Sequence, residues 1–131
     1  VVFTFQKEVA DRLIAKPNSK SYSRASVMVQ YSCKISKKFN LSSRVFYPVP
    51  KVDSSVIKLT PKKGINIQVF NQLQFITKLA FGKRRKILKN SLKKIKDISY
   101  HLKKERINEN IRAEQVTVDQ YKRLSESLLS L

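Results

Sequence analysis

Apolar residues change their spacing at Pro61-Lys62-Lys63-Gly64, and that change divides the chain in two. Upstream, Val1 to Phe5 is a β-branched and aromatic run, the mark of a short buried strand. Val27, Val29, Tyr31, Cys33 and Ile35 alternate with Met28, Gln30, Ser32 and Lys34, a period of two that predicts a strand over 26–35 with one buried face. Ser54 to Leu59 reads as another strand. A helix is expected over 6–16, with Val9, Leu13 and Ile14 inward and Pro17 as its stop. An extended loop is expected over 46–50, stiffened by Pro48 and Pro50. Downstream of Gly64 helical spacing takes over. Val69, Leu73, Ile76 and Ala80 form one stripe and Leu88, Leu92 and Ile95 a second; Val118, Tyr121, Leu124 and Leu128 form a third behind Thr117 as N-cap. The expected architecture is α/β followed by all-α, with the division falling between residues 1–62 and residues 66–131.

Hydrophobic residues make up 41% of the 131, enough to bury a core. Against that, 28 Lys+Arg face 9 Asp+Glu, a formal charge of +19. Such an excess repels itself and attracts polyanions, so nucleic acid is the first partner to consider and an anionic membrane surface the second. Cys33 and His101 are single, which excludes an intrachain disulfide and a Cys/His zinc site, and no metal is expected. No apolar run approaches the roughly 20 residues of a membrane span, and Val1 to Gln6 does not read as a signal peptide. Gly64 and Gly82 stand isolated, whereas a loop that cradles a nucleoside cofactor needs several glycines close together. No cofactor site is therefore expected in this stretch of chain.

Positive charge is densest in Lys83-Arg84-Arg85-Lys86 and continues through Lys89, Lys93, Lys94 and Lys96, with no Asp or Glu in between. On one continuous helix, Lys86, Lys89, Lys93 and Lys96 share a face opposite Leu88, Leu92 and Ile95. A charge run is ordinarily a solvated face, but the lack of acidic partners favours phosphate contact by Lys83, Arg84, Arg85, Lys86, Lys89 and Lys93. A second constellation is Phe46-Tyr47-Pro48-Val49-Pro50-Lys51-Val52-Asp53-Ser54. A ring held by Pro48 and Pro50 can stack on an unpaired base, although an aromatic beside proline is more often core; the residues alone leave both readings open.

Five segments, in order, resemble the bacterial small-subunit ribosomal RNA adenine dimethyltransferases, the kasugamycin-resistance group. They are Phe5-Gln-Lys-Glu-Val-Ala-Asp-Arg-Leu13, Tyr22-Ser-Arg-Ala-Ser-Val-Met-Val-Gln-Tyr31, the Phe46 to Ser54 run, Ala80-Phe-Gly-Lys-Arg-Arg-Lys86 with Asn90, and Arg112-Ala-Glu114. Departures from the family pattern are small: Val49 where proline is common, Asn18 where glycine is common, and Ala25 where leucine is common.

The resemblance implies the end of a Rossmann-like methyltransferase domain followed by a small helical RNA-binding domain. It implies methyl transfer from S-adenosylmethionine to two adjacent adenines near the 3′ end of small-subunit rRNA. It places Phe46 against the target adenine. The cofactor loop and the catalytic Asn-Leu-Pro-Tyr loop of the family precede the segment matching residues 1–13, so no complete catalytic set is expected here. It also implies the immature small ribosomal subunit as partner, a monomer, and the bacterial cytoplasm as location. A catalytically inert RNA- or ribosome-binding piece is the alternative. A basic DNA-binding module is a weaker one, because it leaves residues 1–60 unexplained.

Overall fold

In the computed structural model of the chain the described residues are 1–42, 44, 47–49 and 53–130, and the side chains of Lys37 and Lys38 fall outside that description. Three strands form one antiparallel sheet, in the order β1 (Val2–Gln6), β3 (Ser54–Pro61), β2 (Cys33–Leu41). Among the described residues six α-helices accompany it: α1 (Lys7–Ile14), α2 (Arg24–Ser32), α3 (Ile67–Gly82), α4 (Leu88–Ser91), α5 (Ile98–Lys104) and α6 (Val118–Leu129). The expected strand over 54–59 is present. β1 matches the first expected strand in place but not in burial: it pairs on one side only, with Val2 61% and Phe3 43% exposed.

Residues 26–35 overturn the strand expected there. Arg24–Ser32 is α2, and the strand begins only at Cys33. The reason is that α2 is flanked by two hydrophobic clusters. Val27 and Tyr31 join the larger cluster, while Ala25 and Val29 pack toward the smaller one around Ala10, Leu13, Ile57 and Leu59. A helix with apolar residues on two sides shows alternation, and the i, i+4 pair Val27/Tyr31 satisfies a period of two as well as one of 3.6. In α1 the inward residues are Ala10 and Leu13, with Ile14 against the same cluster, whereas Val9 is exposed.

The helical half keeps two of its three expected stripes intact. Val69, Leu73, Ile76 and Ala80 are all buried along α3, which the Asn66 side chain caps by accepting from the Gln68 and Val69 amides. Tyr121 and Leu124 are buried in α6, Val118 and Leu128 pack beside them, and Thr117 Oγ accepts from the Gln120 amide at 3.0 Å. The expected continuous helix over 83–96 is not formed. Only Leu88–Ser91 is helical, flanked by turns, and Asp97 takes a left-handed φ of 58°. The backbone amides of Leu88 and Lys89 donate to the carbonyls of Ile111 and Glu109, and Ile87 bridges Arg112. Those bonds draw the segment onto the 109–112 stretch instead of onto its own preceding turn. Leu88 and Leu92 are nonetheless fully buried, and Ile95 packs against the same core. The larger cluster thus takes Tyr22, Val27 and Tyr31 from before Pro61 and Leu73, Leu92, Leu102 and Leu124 from after it.

Candidate nucleic-acid interface

The surface beyond the carboxyl end of α3 is built on an aromatic junction. Phe81 lies with its ring centroid 5.9 Å from that of Tyr22 and 5.9 Å from that of Tyr121. Both tyrosines are fully buried. The Tyr22 hydroxyl donates to Val116 O at 2.8 Å and the Tyr121 hydroxyl to Ala113 O at 2.8 Å. Burial pushes both hydroxyls well above their ordinary ionisation; for Tyr121 the nearness of Tyr22 and of Glu114 adds to this and Arg84 opposes it. Three separated segments, at 22, 81–84 and 112–114, are joined here, and each carries one of the motifs singled out in the sequence.

From this junction the backbone runs into the basic turn Lys83–Lys86, all four residues exposed. Arg84 folds back: its guanidinium donates to Tyr22 O at 3.2 Å and lies 5.8 Å from the centre of the Phe81 ring. Lys83 and Lys86 turn the other way. With Lys93, Lys94, Leu79, Asn90 and Ser91 they line a small cleft of about 140 Å³. The sequence-based grouping therefore changes. Lys86 and Lys93 are brought together, joined by Lys83 and Lys94; Lys89 is half-buried where its amide meets Glu109 O, and neither it nor Lys96 lines that cleft. Arg85 is exposed and takes no part in the cleft. A turn rather than a helix gathers the cations, so helical spacing is the wrong template for choosing among them.

Of the loop expected to hold a base, Phe46 and Pro50 lie outside the described residues. Pro48 is described: the Tyr47–Pro48 peptide is cis, and Tyr47 is 99% exposed. Gly64 and Gly82 both sit in open space, far apart in sequence, and build no cradle for a nucleoside cofactor among the described residues. Nor do the described residues hold a group of three or more His, Cys, Asp or Glu placed for a metal ion, and no described helix is long and apolar enough to cross a membrane.

Sequence reasoning misses the helix that carries Arg24, because the alternation after Ser23 reads as strand. The signal available is Ser23 followed by Ser26 ahead of Val27 and Tyr31, a helix start; Ser26 Oγ accepts from the Ser23 amide at 3.0 Å and donates to the Arg12 carbonyl.

The profile of the family described as "Ribosomal RNA adenine dimethylase" matches residues 1–129. The "Ribosomal RNA small subunit methyltransferase A" of Buchnera aphidicola subsp. Baizongia pistaciae (strain Bp) is 48% identical over 125 residues, covering 94% of this chain and 48% of that protein. The protein of the same name from Buchnera aphidicola subsp. Schizaphis graminum (strain Sg) is 45% identical over 132 residues, covering 97% and 47%. In fold, the chain is similar to the crystal structure of a dimethyladenosine transferase from Plasmodium falciparum, with a TM-score of 0.76 and 23% identity over 94% of this chain and 54% of that one. The chain spans about half the length of the curated relatives it matches. With the profile matched over nearly every residue and the relatives close to half identical, the chain belongs to the ribosomal RNA adenine dimethylase family.

Proposed function

We propose that these residues supply RNA-binding surface and one wall of the target-base pocket of an enzyme that methylates two adjacent adenines of small-subunit rRNA. The observation that carries this reading is family membership over residues 1–129. The cations gathered at Lys83, Lys86, Lys93 and Lys94 support it, because an RNA substrate presents a line of phosphates to such a surface. The methyl donor is S-adenosylmethionine. Gly64 and Gly82, isolated and in open space, do not fit a nucleoside cradle, and no residue of this chain is assigned to holding the donor. The partner is the small-subunit rRNA within the immature subunit, and the enzyme works as a monomer in the bacterial cytoplasm. The division into a residue 1–62 part and a residue 66–131 part belongs to the same proposal: the first part carries the ring that reaches the base, and the second carries the lysines gathered at Lys83, Lys86, Lys93 and Lys94.

An adenine inside a stack cannot present its amine to a methyl donor, so it must be flipped out and held. Phe46 is the ring proposed to hold it. Affinity for an RNA hairpin is spread over many phosphate contacts, whereas a flipped base has few partners. Stacking on one aromatic ring is worth ~1–3 kcal/mol, so Phe46→Ala in the complete enzyme should lower methylation roughly five- to a hundred-fold and leave RNA affinity nearly unchanged. Phe46→Tyr should keep most of the rate. Phe46→Leu is the decisive comparison, because it preserves apolar bulk without a π-face. A Leu variant as fast as wild type, beside an Ala variant that unfolds, would make the ring part of the core and sink the assignment.

A further inference from the structure

A second basic feature is lined by Arg84 and shares no lining residue with the Lys83/Lys86/Lys93 cleft. Between α1, the 20–25 segment and α3 there is an open cleft of about 720 Å³, within the ~300–1,000 Å³ usual for ligand clefts. Arg12, Lys20, Arg24 and Arg84 line it, over an apolar floor that includes Met28 and Phe81. Glu8 is the one carboxylate among its lining residues; it pairs with Arg12 at 3.6 Å and its side chain is 84% exposed. Such an exposed pair holds its partner weakly.

Two of the guanidiniums that line the cleft are held by bonds to the surrounding elements. Arg24 reaches α3, with Nε donating to Thr77 Oγ1 at 3.4 Å and Nη2 to Gln74 O at 3.1 Å. Arg84 is fixed by Tyr22 O and lies over the Phe81 ring. A guanidinium carries five N–H donors, so both keep donors to spare, in a planar fork that suits phosphate oxygens. The amino end of α2 opens here as well and adds its positive potential.

We propose that this cleft is a phosphodiester-binding site that grips the RNA backbone between Arg24 and Arg84, with Arg12 and Lys20 on flanking phosphates. It is separate from the Lys83/Lys86/Lys93 surface, and it gives Arg84 a different task from its neighbours in the basic turn. Exposed lysines with free side chains follow a backbone loosely; two arginines already held by main-chain and side-chain bonds lose little freedom on binding and fix its register. The assignment rests on the RNA-binding reading above.

The test measures binding of the chain to a structured RNA hairpin across a sodium chloride series. Wild type, Lys20→Gln, Arg24→Gln, Arg24→Lys and the triple variant Lys83→Gln/Lys86→Gln/Lys93→Gln are compared. A cation that no longer neutralises its phosphate should flatten the slope of log affinity against log salt by about 0.7–0.9. The expected result is flattening by about one such step in Lys20→Gln and in Arg24→Gln. These two effects should add to the larger flattening of the triple variant. Arg24→Lys should keep the slope and bind more weakly, because charge is retained and the fork is removed. Arg24→Gln also gives up its bonds to α3, so thermal unfolding is recorded for each variant, and exposed Lys20 serves as the case free of that difficulty. Salt-sensitive binding whose slope is unchanged in both Lys20→Gln and Arg24→Gln overturns the cleft assignment and leaves the RNA reading standing. In Arg24→Gln, a fall in affinity with no change of slope, at altered stability, also overturns it, since the effect is then structural. If wild type shows no salt-dependent binding, both the RNA reading and the cleft assignment fall together.

Discussion

Single residues at the aromatic junction tie separate segments together and should give the molecule a pH dependence. Tyr22 and Tyr121 are buried, and each donates to a main-chain carbonyl that no water replaces easily. Their folded-state ionisation is raised above the ordinary value of about 10, chiefly by burial. For a group shifted in that direction the stabilisation is fully present below the unfolded-state value and is lost as pH climbs past it toward the folded-state value. Unfolding by urea should therefore be insensitive to these groups between about pH 7 and 9.5 and should ease steeply above pH ~10. Tyr22→Phe combined with Tyr121→Phe should lower stability at neutral pH by ~1–3 kcal/mol for each carbonyl left without its donor. The same variant should flatten the alkaline limb relative to wild type. Comparing the two proteins at each pH cancels the parallel discharge of the lysines. A variant with an undiminished alkaline limb would place the titrating groups elsewhere. Asn18 belongs to the same scale: its φ of 69° is left-handed, a conformation glycine adopts without cost and asparagine better than most residues.

At the scale of elements, legibility in the sequence follows how many sides of an element are buried. α3 buries one stripe, and the stripe is readable: Val69, Leu73, Ile76 and Ala80 are all inside, with Phe75 on the outer side at 48% exposure. This makes α3 a clean place to test packing. Leu73→Ala should cost ~2–5 kcal/mol, since Leu73 is fully buried, while Phe75→Ala should change stability by under ~0.5 kcal/mol. Urea midpoints at constant slope measure both; equal effects would mean that α3 packs by its other face. α2 reads as a strand because it lies between two cores, and no single-helix pattern carries that information. The 83–96 stretch misleads for a different reason. Its apolar spacing at Leu88, Leu92 and Ile95 is helical and those residues do face the core, but main-chain bonds from Leu88 and Lys89 to Ile111 and Glu109 interrupt the helix. Such bonds join residues far apart in sequence and have no local signature. The same limit applies to the site. The basic turn is readable as composition, but which lysines share a cleft is not. Likewise Arg24 and Arg84 come together only through packing of α2 on α3.

At the scale of the whole molecule, folding and the proposed RNA binding should respond to salt with opposite signs. With 28 basic and 9 acidic residues, most cations have no carboxylate to face, so compaction brings like charges together. That repulsion opposes folding most strongly at low ionic strength, where the Debye length is ~30 Å at 0.01 M, and is largely screened at 1 M, where it is ~3 Å. Sodium chloride should therefore raise the melting temperature of the free chain. A gain of ~1 kcal/mol corresponds to roughly 3–5 °C for a chain of this length. RNA affinity should fall over the same range, because released counterions are worth less as salt rises. The two effects cross in one experiment. At low salt, saturating RNA should raise the melting temperature by more than salt alone does, since a ligand that binds only the folded chain stabilises it in proportion to the logarithm of its concentration over Kd. At high salt the RNA-dependent rise should vanish while the salt-dependent rise persists. Differential scanning with and without RNA across the series reads both. A melting temperature that falls as salt rises, in the absence of RNA, would mean that the few ion pairs, such as Arg123 with Asp119 at 3.0 Å, outweigh the excess of positive charge, and the self-repulsion account would be wrong.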